Sequence, residues 1–159
     1  MSKGERIEAY VRSLGLEGSG YDPCYLAYFG CFNAQDYYEA HDVLEHLWLG
    51  VRDGDYAFYK GLIQLAGAFV HLKKQHARPW HPKDGRRMHP AVRLFALAEG
   101  NLLPYGRSHL GLDLDEVLAL IHRHVGAIKE SDYTRNPWIP EDAPVLKVPG
   151  SGKRKVVVS

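Results

Sequence analysis

From Tyr56 to His76 the chain places Phe58, Tyr59, Leu62, Ile63, Leu65, Phe69, Val70 and Leu72 in nearly every direction around a helical axis. A helix that is apolar on all sides needs neighbours on most sides, so residues 56–76 read as the central, buried helix of a bundle. A strip of small residues, Ala57, Gly61, Gly67 and Ala68, lets one neighbour approach closely. Gln64 and His71 point along the same strip.

The remaining elements arrange themselves around it. Ile7, Tyr10, Val11 and Leu14 recur at helical spacing, which predicts an amphipathic helix over 3–14. Asp22-Pro23 is a helix start, with Asp as cap and Pro at the first helical position, and that helix runs to about residue 32. Asp36 and Glu39 read as a capping box for a helix over 37–51, and Asp55 as the cap of the central helix. Pro90 opens a helix ending near Gly100. Asp113 and Glu116 form a second capping box, for a helix to about Glu130. No strand pair is signalled. The expected fold class is all-α, a compact single-domain bundle of five or six helices over 1–131. Residues 132–159 are expected as an extended Pro-containing segment and a flexible basic tail, Gly150-Ser-Gly-Lys-Arg-Lys.

The 159 residues suffice for a real core without staples, and 45% hydrophobic with 25% charged residues is ordinary for a globular domain. Cys24 and Cys31, seven apart on one helix, are about 10 Å apart along its axis and do not suit a disulfide. They read as small buried hydrophobes. A net charge of +1 gives no global field for nucleic acid, and the basic loop 77–89 is the sole candidate for such a contact. It is read as a solvated face. No apolar run is long enough for a membrane span, and no signal peptide is seen, so the expected location is cytoplasmic.

Chemistry concentrates on two helices. His41 and Glu45 are one turn apart, among Tyr37, Tyr38, Leu44 and Trp48, while Glu39 and His46 point to the opposite, solvated side. With Gln64 and His71 they form four polar residues at positions expected to face inward, where an unpaired polar group costs about 1–3 kcal/mol. The expectation is that the four converge. A hydrogen-bonded network would satisfy them all. A metal-free pocket would use the aromatic residues, Tyr38 and Trp48 among them, as walls and the polar four as anchors for a small ligand. Alternatively His41, Glu45 and His71 supply two imidazoles and a carboxylate, a set suited to zinc or iron with an open position. His122 and His124, on a surface helix, suggest nothing specific, and no nucleophile constellation stands out.

Phe32-Asn33, Tyr37/Tyr38-Glu39-Ala40-His41-Asp42-x-x-Glu45-x-x-Trp48, Lys60-Gly61-Leu62-Ile63-Gln64-Leu65-Ala66 and His71, followed by Tyr105 and Gly111-Leu-Asp113, resemble the family known as domain of unknown function 309. The resemblance is strong over 24–72 and weak over 90–128. It implies a compact helical bundle and marks His41, Glu45, Trp48, Gln64 and His71 as the residues the family pattern repeats. It implies no reaction. Two features depart from the pattern: Gln35 stands where the family's turn usually carries glycine, and the loop 77–89 is longer than the family's connection. The functional expectation is a binding or scaffold module built around the inward polar cluster, with a small ligand or a protein as partner. The alternative is a metal-dependent hydrolytic enzyme using the same residues.

Overall fold

The structure, a computed structural model, describes residues 1–150. Six α-helices follow one another: α1 (Lys3–Ser13), α2 (Pro23–Asn33), α3 (Tyr37–Trp48), α4 (Tyr56–Ala77), α5 (Met88–Leu102) and α6 (Leu114–Glu130). The all-α bundle expected from the sequence is therefore present. The basic tail lies outside the described residues.

The long helix α4 is the centre. Its most extensive contacts are with α5 on one side and α3 on the other, and α3 packs in turn on α2. Phe58, Leu62, Leu65, Ala66, Ala68, Phe69 and Leu72 of α4 have no solvent exposure. The small-residue strip has the role its composition suggests. A Cβ on Gly61 would lie 2.8 Å from Leu102 Cγ and 3.2 Å from the Ala98 carbonyl oxygen, so glycine is what lets α5 approach. Around α4 the core is aromatic. Phe69 meets Phe32 and Phe95 edge to face, with centroids 5.3 Å apart in both pairs, the geometry that the ring quadrupoles favour. The buried Tyr28 hydroxyl finds its acceptor in the Leu62 carbonyl at 2.6 Å.

Helix starts follow their caps unevenly. Asp22 accepts from Cys24 N at 2.8 Å, as its position predicts, and Asp113 accepts from Glu116 N at 3.1 Å, one half of the expected capping box. Asp36 makes no side-chain cap bond, so the expected capping box with Glu39 is not formed. Asp55 does not cap α4 either; its carboxylate is taken by His109 instead. α5 starts at Met88, two residues before Pro90. The first helical amides have no intrahelical acceptor, so proline is tolerated there.

One strand pair went unsignalled. Ser108–His109 and Leu112–Asp113 form a two-residue antiparallel ladder, closed by Leu110 and Gly111, both at positive φ (46° and 75°), the conformation of a type I′ hairpin turn. Beyond α6 the chain holds no further α-helix among the described residues, yet it is tied to the bundle. Trp138 and Leu146 are buried. Asn33 grips Leu146 through both its amide groups at 2.8 Å each, and Trp138 Nε1 donates to the Tyr37 hydroxyl at 3.0 Å.

Candidate functional site

On α3 the buried positions are Tyr37, Ala40, Val43 and Leu44. His41, Glu45 and Trp48 lie beside that stripe, about 40–100° round the axis from Leu44. They are half-buried instead of enclosed. His41 Nδ1 is 3.2 Å from Asp42 Oδ1, and His41 Nε2 is 3.7 Å from Glu45 Oε2, with the two side chains 31% and 32% exposed. Lys3 of α1 reaches over them, 3.3 Å from Asp42 and 3.8 Å from Glu45. Tyr38 lies roughly parallel to the His41 ring at 6.2 Å and is itself well exposed. These charges are held at the rim of the bundle by α1. His46, expected to be solvated, also meets α1. Its Nε2 is 3.1 Å from Glu8, and its ring packs over Gly4.

The polar residues of α4 face another neighbour. Gln64 Oε1 accepts from Asn101 Nδ2 of α5 at 2.7 Å. Arg87, just before α5, directs Nη1 to His71 Nδ1 at 3.0 Å. A guanidinium can only donate, so His71 Nδ1 is the acceptor and its proton sits on Nε2. Burial, then the charges of Arg87, Lys74 and Arg93, push the His71 pKa down to about 4. Arg87 is fixed from behind by Asp84, with Nε at 3.0 Å and Nη2 at 2.5 Å from Oδ1. That contact holds the Asp84 carboxyl below its usual range. The Arg87 backbone N–H donates to Gln75 Oε1 at 2.7 Å.

The four polar residues thus divide into two pairs. Among the described residues no hydrogen bond or ion pair joins His41 or Glu45 to Gln64 or His71, and none of the four is in the buried class, which for polar residues holds His124 alone. Nor do three or more His, Cys, Asp or Glu side chains come together as a metal set among the described residues. The expected His41–Glu45–His71 triad is not assembled. The reason is rotational: the α3 pair sits at the edge towards α1 and solvent, while Gln64 and His71 turn towards α5 and the loop after α4.

Trp48 is the exception to this pairwise satisfaction. Its ring lies against Tyr56, and its indole Nε1 is sealed from solvent with no hydrogen-bond partner. A cavity of about 310 Å³ opens beside it, lined by Trp48, Leu49, Arg52 and Tyr56. Leu49 and Tyr56 are exposed there, and Arg52 folds back onto the Leu49 and Val51 carbonyls at 2.9 and 2.8 Å.

Several partners escaped sequence reasoning. Arg87, Asp84 and Gln75 order the loop, and only its charge drew notice. Asn101 falls just past the end expected for its helix, near Gly100, and lies within α5. His109 holds Asp55 at 2.7 Å, with the rings of Phe58 and Tyr105 each 4.7 Å from its own. His124, expected on the surface, is buried, its Nδ1 2.9 Å from the Leu120 carbonyl oxygen and its ring 5.1 Å from Phe69. The apolar face of α6 passes through position 124, which is the signal that could have placed it. Cys24 and Cys31 are both unbridged; Cys31 is buried, as expected, but Cys24 is only partly so.

Residues 25–81 match the model of the family described as Domain of unknown function (DUF309). None of the curated proteins matches the chain, and none of the solved structures does.

Proposed function

We propose that this chain, whose residues 25–81 belong to the DUF309 family, is a binding module, with its recognition face at the α3–α4 rim where Tyr38, His41, Glu45, Trp48, Leu49 and Tyr56 are presented. The observation that carries this reading is Trp48 Nε1, a sealed donor without an acceptor. An unsatisfied buried N–H costs about 1–3 kcal/mol; Tyr56, which packs on the Trp48 ring, is itself 39% exposed, so an acceptor-bearing partner that displaces it gains an unmade hydrogen bond. The surroundings suit such a partner. Leu49 is 58% exposed and Tyr56 39%, so apolar area is available at the mouth of the cavity. Earlier on α3, Asp42 and Glu45, with Lys3 of α1 over them, supply charges. An aromatic anchor inside a polar border is the usual anatomy of an interface.

Native mass spectrometry of gently purified protein tests this. The reading expects a bound species on the wild type that is lost, or reduced severalfold, in Trp48→Phe, which keeps the ring and removes the N–H. Bare protein in both samples would count against it.

A further inference from the structure

Charge is segregated along this chain in a way its total of +1 conceals. Residues 56–98 hold eight Lys or Arg and one acid, Asp84, for a net charge of +7. The other 116 residues hold twelve Lys or Arg and eighteen Asp or Glu, for a net charge of −6. The single acid of the basic half is occupied, since Asp84 binds Arg87 and lies 3.3 Å from Arg78. Lys74, Lys83, Arg86 and Arg93 are exposed and have no ion-pair partner among the described residues. They gather at one end of the bundle. Lys74 and Arg93 approach from α4 and α5, together with Arg87, closely enough that all three charges act on His71.

In the middle of this region stands Trp80, 76% exposed. The loop that carries it is knit together. His81 N donates to the Arg78 carbonyl at 3.1 Å, Gly85 N to the His81 carbonyl at 2.8 Å and Arg86 N to the Lys83 carbonyl at 3.2 Å. His81 Nδ1 accepts from both Lys83 N and Asp84 N at 3.1 Å. A large aromatic ring is therefore presented to solvent on a pre-formed loop, which reduces the ordering entropy that binding would otherwise cost.

We infer that the loop 78–87 and the adjoining exposed ends of α4 and α5 form a docking surface for single-stranded nucleic acid, with Trp80 as a base-stacking platform and Lys74, Arg78, Lys83, Arg86 and Arg93 on the phosphates. The pairing of one exposed ring with a cluster of cations is the chemistry such strands require, stacking for the bases and charge for the backbone. A duplex hides its base faces and offers Trp80 nothing to stack on. An acidic membrane is the less suitable occupant: Trp80, on the loop, and Leu97, one turn beyond Arg93 on α5, are the exposed large hydrophobic side chains between residues 73 and 98, and an interfacial anchor needs a continuous apolar face. The inference uses neither Trp48 nor the α3–α4 rim, and it stands or falls apart from the function proposed above.

The test is fluorescence anisotropy of the full chain with labelled oligo(U), oligo(dT) and a duplex, each about 20 nucleotides long, from about 50 to 200 mM salt, beside co-sedimentation with phosphatidylserine-containing vesicles. Binding is expected for the single strands and weaker for the duplex, and the tighter of oligo(U) and oligo(dT) identifies the natural class. Trp80→Ala should weaken binding about 5- to 100-fold with the salt slope unchanged. The triple variant Lys74→Glu, Lys83→Glu, Arg86→Glu should lower the log–log salt slope by about 2. All four positions are exposed, so the fold survives these changes, and circular dichroism checks that it has. Arg12→Ala on α1, with Leu14→Ala just past its end, should change nothing. No oligonucleotide binding at the lowest salt would overturn the inference. So would duplex binding as tight as single-strand binding, an unaltered affinity in Trp80→Ala, or capture by vesicles alone.

Discussion

The rings of Trp48 and Tyr56 lie 5.0 Å apart, centroid to centroid, at 35°, one from each side of the turn between α3 and α4. This contact braces the helical hairpin at its turn, and it leaves Trp48 Nε1 sealed and unpaired. Packing and hydrogen bonding therefore pull in opposite directions at one side chain. Trp48→Phe keeps most of the ring contact and removes the unsatisfied donor, so its melting temperature should equal or exceed that of the wild type. Trp48→Ala forfeits the packing and should lose about 2 kcal/mol or more. Differential scanning calorimetry of the two variants separates the effects. A Phe variant as damaged as the Ala variant would mean that the N–H has a partner in solution.

A bundle of five or six helices was legible because its signals are local: apolar spacing, Asp22-Pro23 and the Asp113 cap; Gly100, read as a stop, lies inside α5, which runs on to Leu102. The sequence also showed which residues of α3 share a direction, since a helical wheel fixes relative angles. It could not show which arc of the wheel faces the core. Tyr37, Ala40 and Leu44 define that arc, and His41 and Glu45 fall at its edge, where α1 supplies Lys3. The partners of Gln64 and His71 lie 37 and 16 residues away, and no periodicity encodes such a pairing. The same holds for the burial of Trp138 and Leu146. Their segment has neither helical nor strand spacing, and it is positioned by Asn33 and Tyr37 across more than a hundred residues.

Glu45 gives a direct reading of that rotation. Enclosed beside an imidazole, its loss would cost about 1–3 kcal/mol. At 32% exposure, with contacts of 3.7 and 3.8 Å to His41 and Lys3, Glu45→Ala should cost under about 1 kcal/mol. Glu39→Ala, exposed and without a cap bond, should be similarly mild. Urea midpoints measure both, and a loss near 3 kcal/mol for Glu45→Ala alone would place the carboxylate in the core.

Gln35 occupies the turn between α2 and α3 at φ 66°, the left-handed region that glycine enters without steric cost. Its side chain offsets part of the strain by donating from Nε2 to the Pro140 carbonyl at 2.9 Å. Both Gln35→Gly and Gln35→Ala lose that bond, but only glycine relieves the backbone. The alanine variant should be the less stable by about 1 kcal/mol, read from chemical denaturation. The opposite order would mean that the turn adopts another conformation in solution.

His71 makes stability depend on pH. Folded, its pKa is pushed to about 4 from an ordinary 6.5, so below about 6.5 the unfolded chain takes up a proton that the native chain refuses. Stability should fall as pH drops from about 6.5 towards 4 and owe nothing further to this group below that. Solvent screening of a half-buried group limits the loss to about 1–2 kcal/mol. In His71→Gln, which can still accept from Arg87, this part of the slope should vanish. His124, also depressed by burial, contributes in the same direction and remains in the variant. An unchanged slope would assign the whole effect elsewhere.

The most direct test of the recognition face is site-specific photo-crosslinking in cells, with a benzophenone amino acid placed at Leu49 and, as a control, at Arg135, an exposed site away from the α3–α4 rim. The account predicts a discrete adduct from position 49, weakened severalfold when Trp48→Phe is added, and none of the same mass from position 135. The same adducts from both positions, or none from position 49, would contradict it.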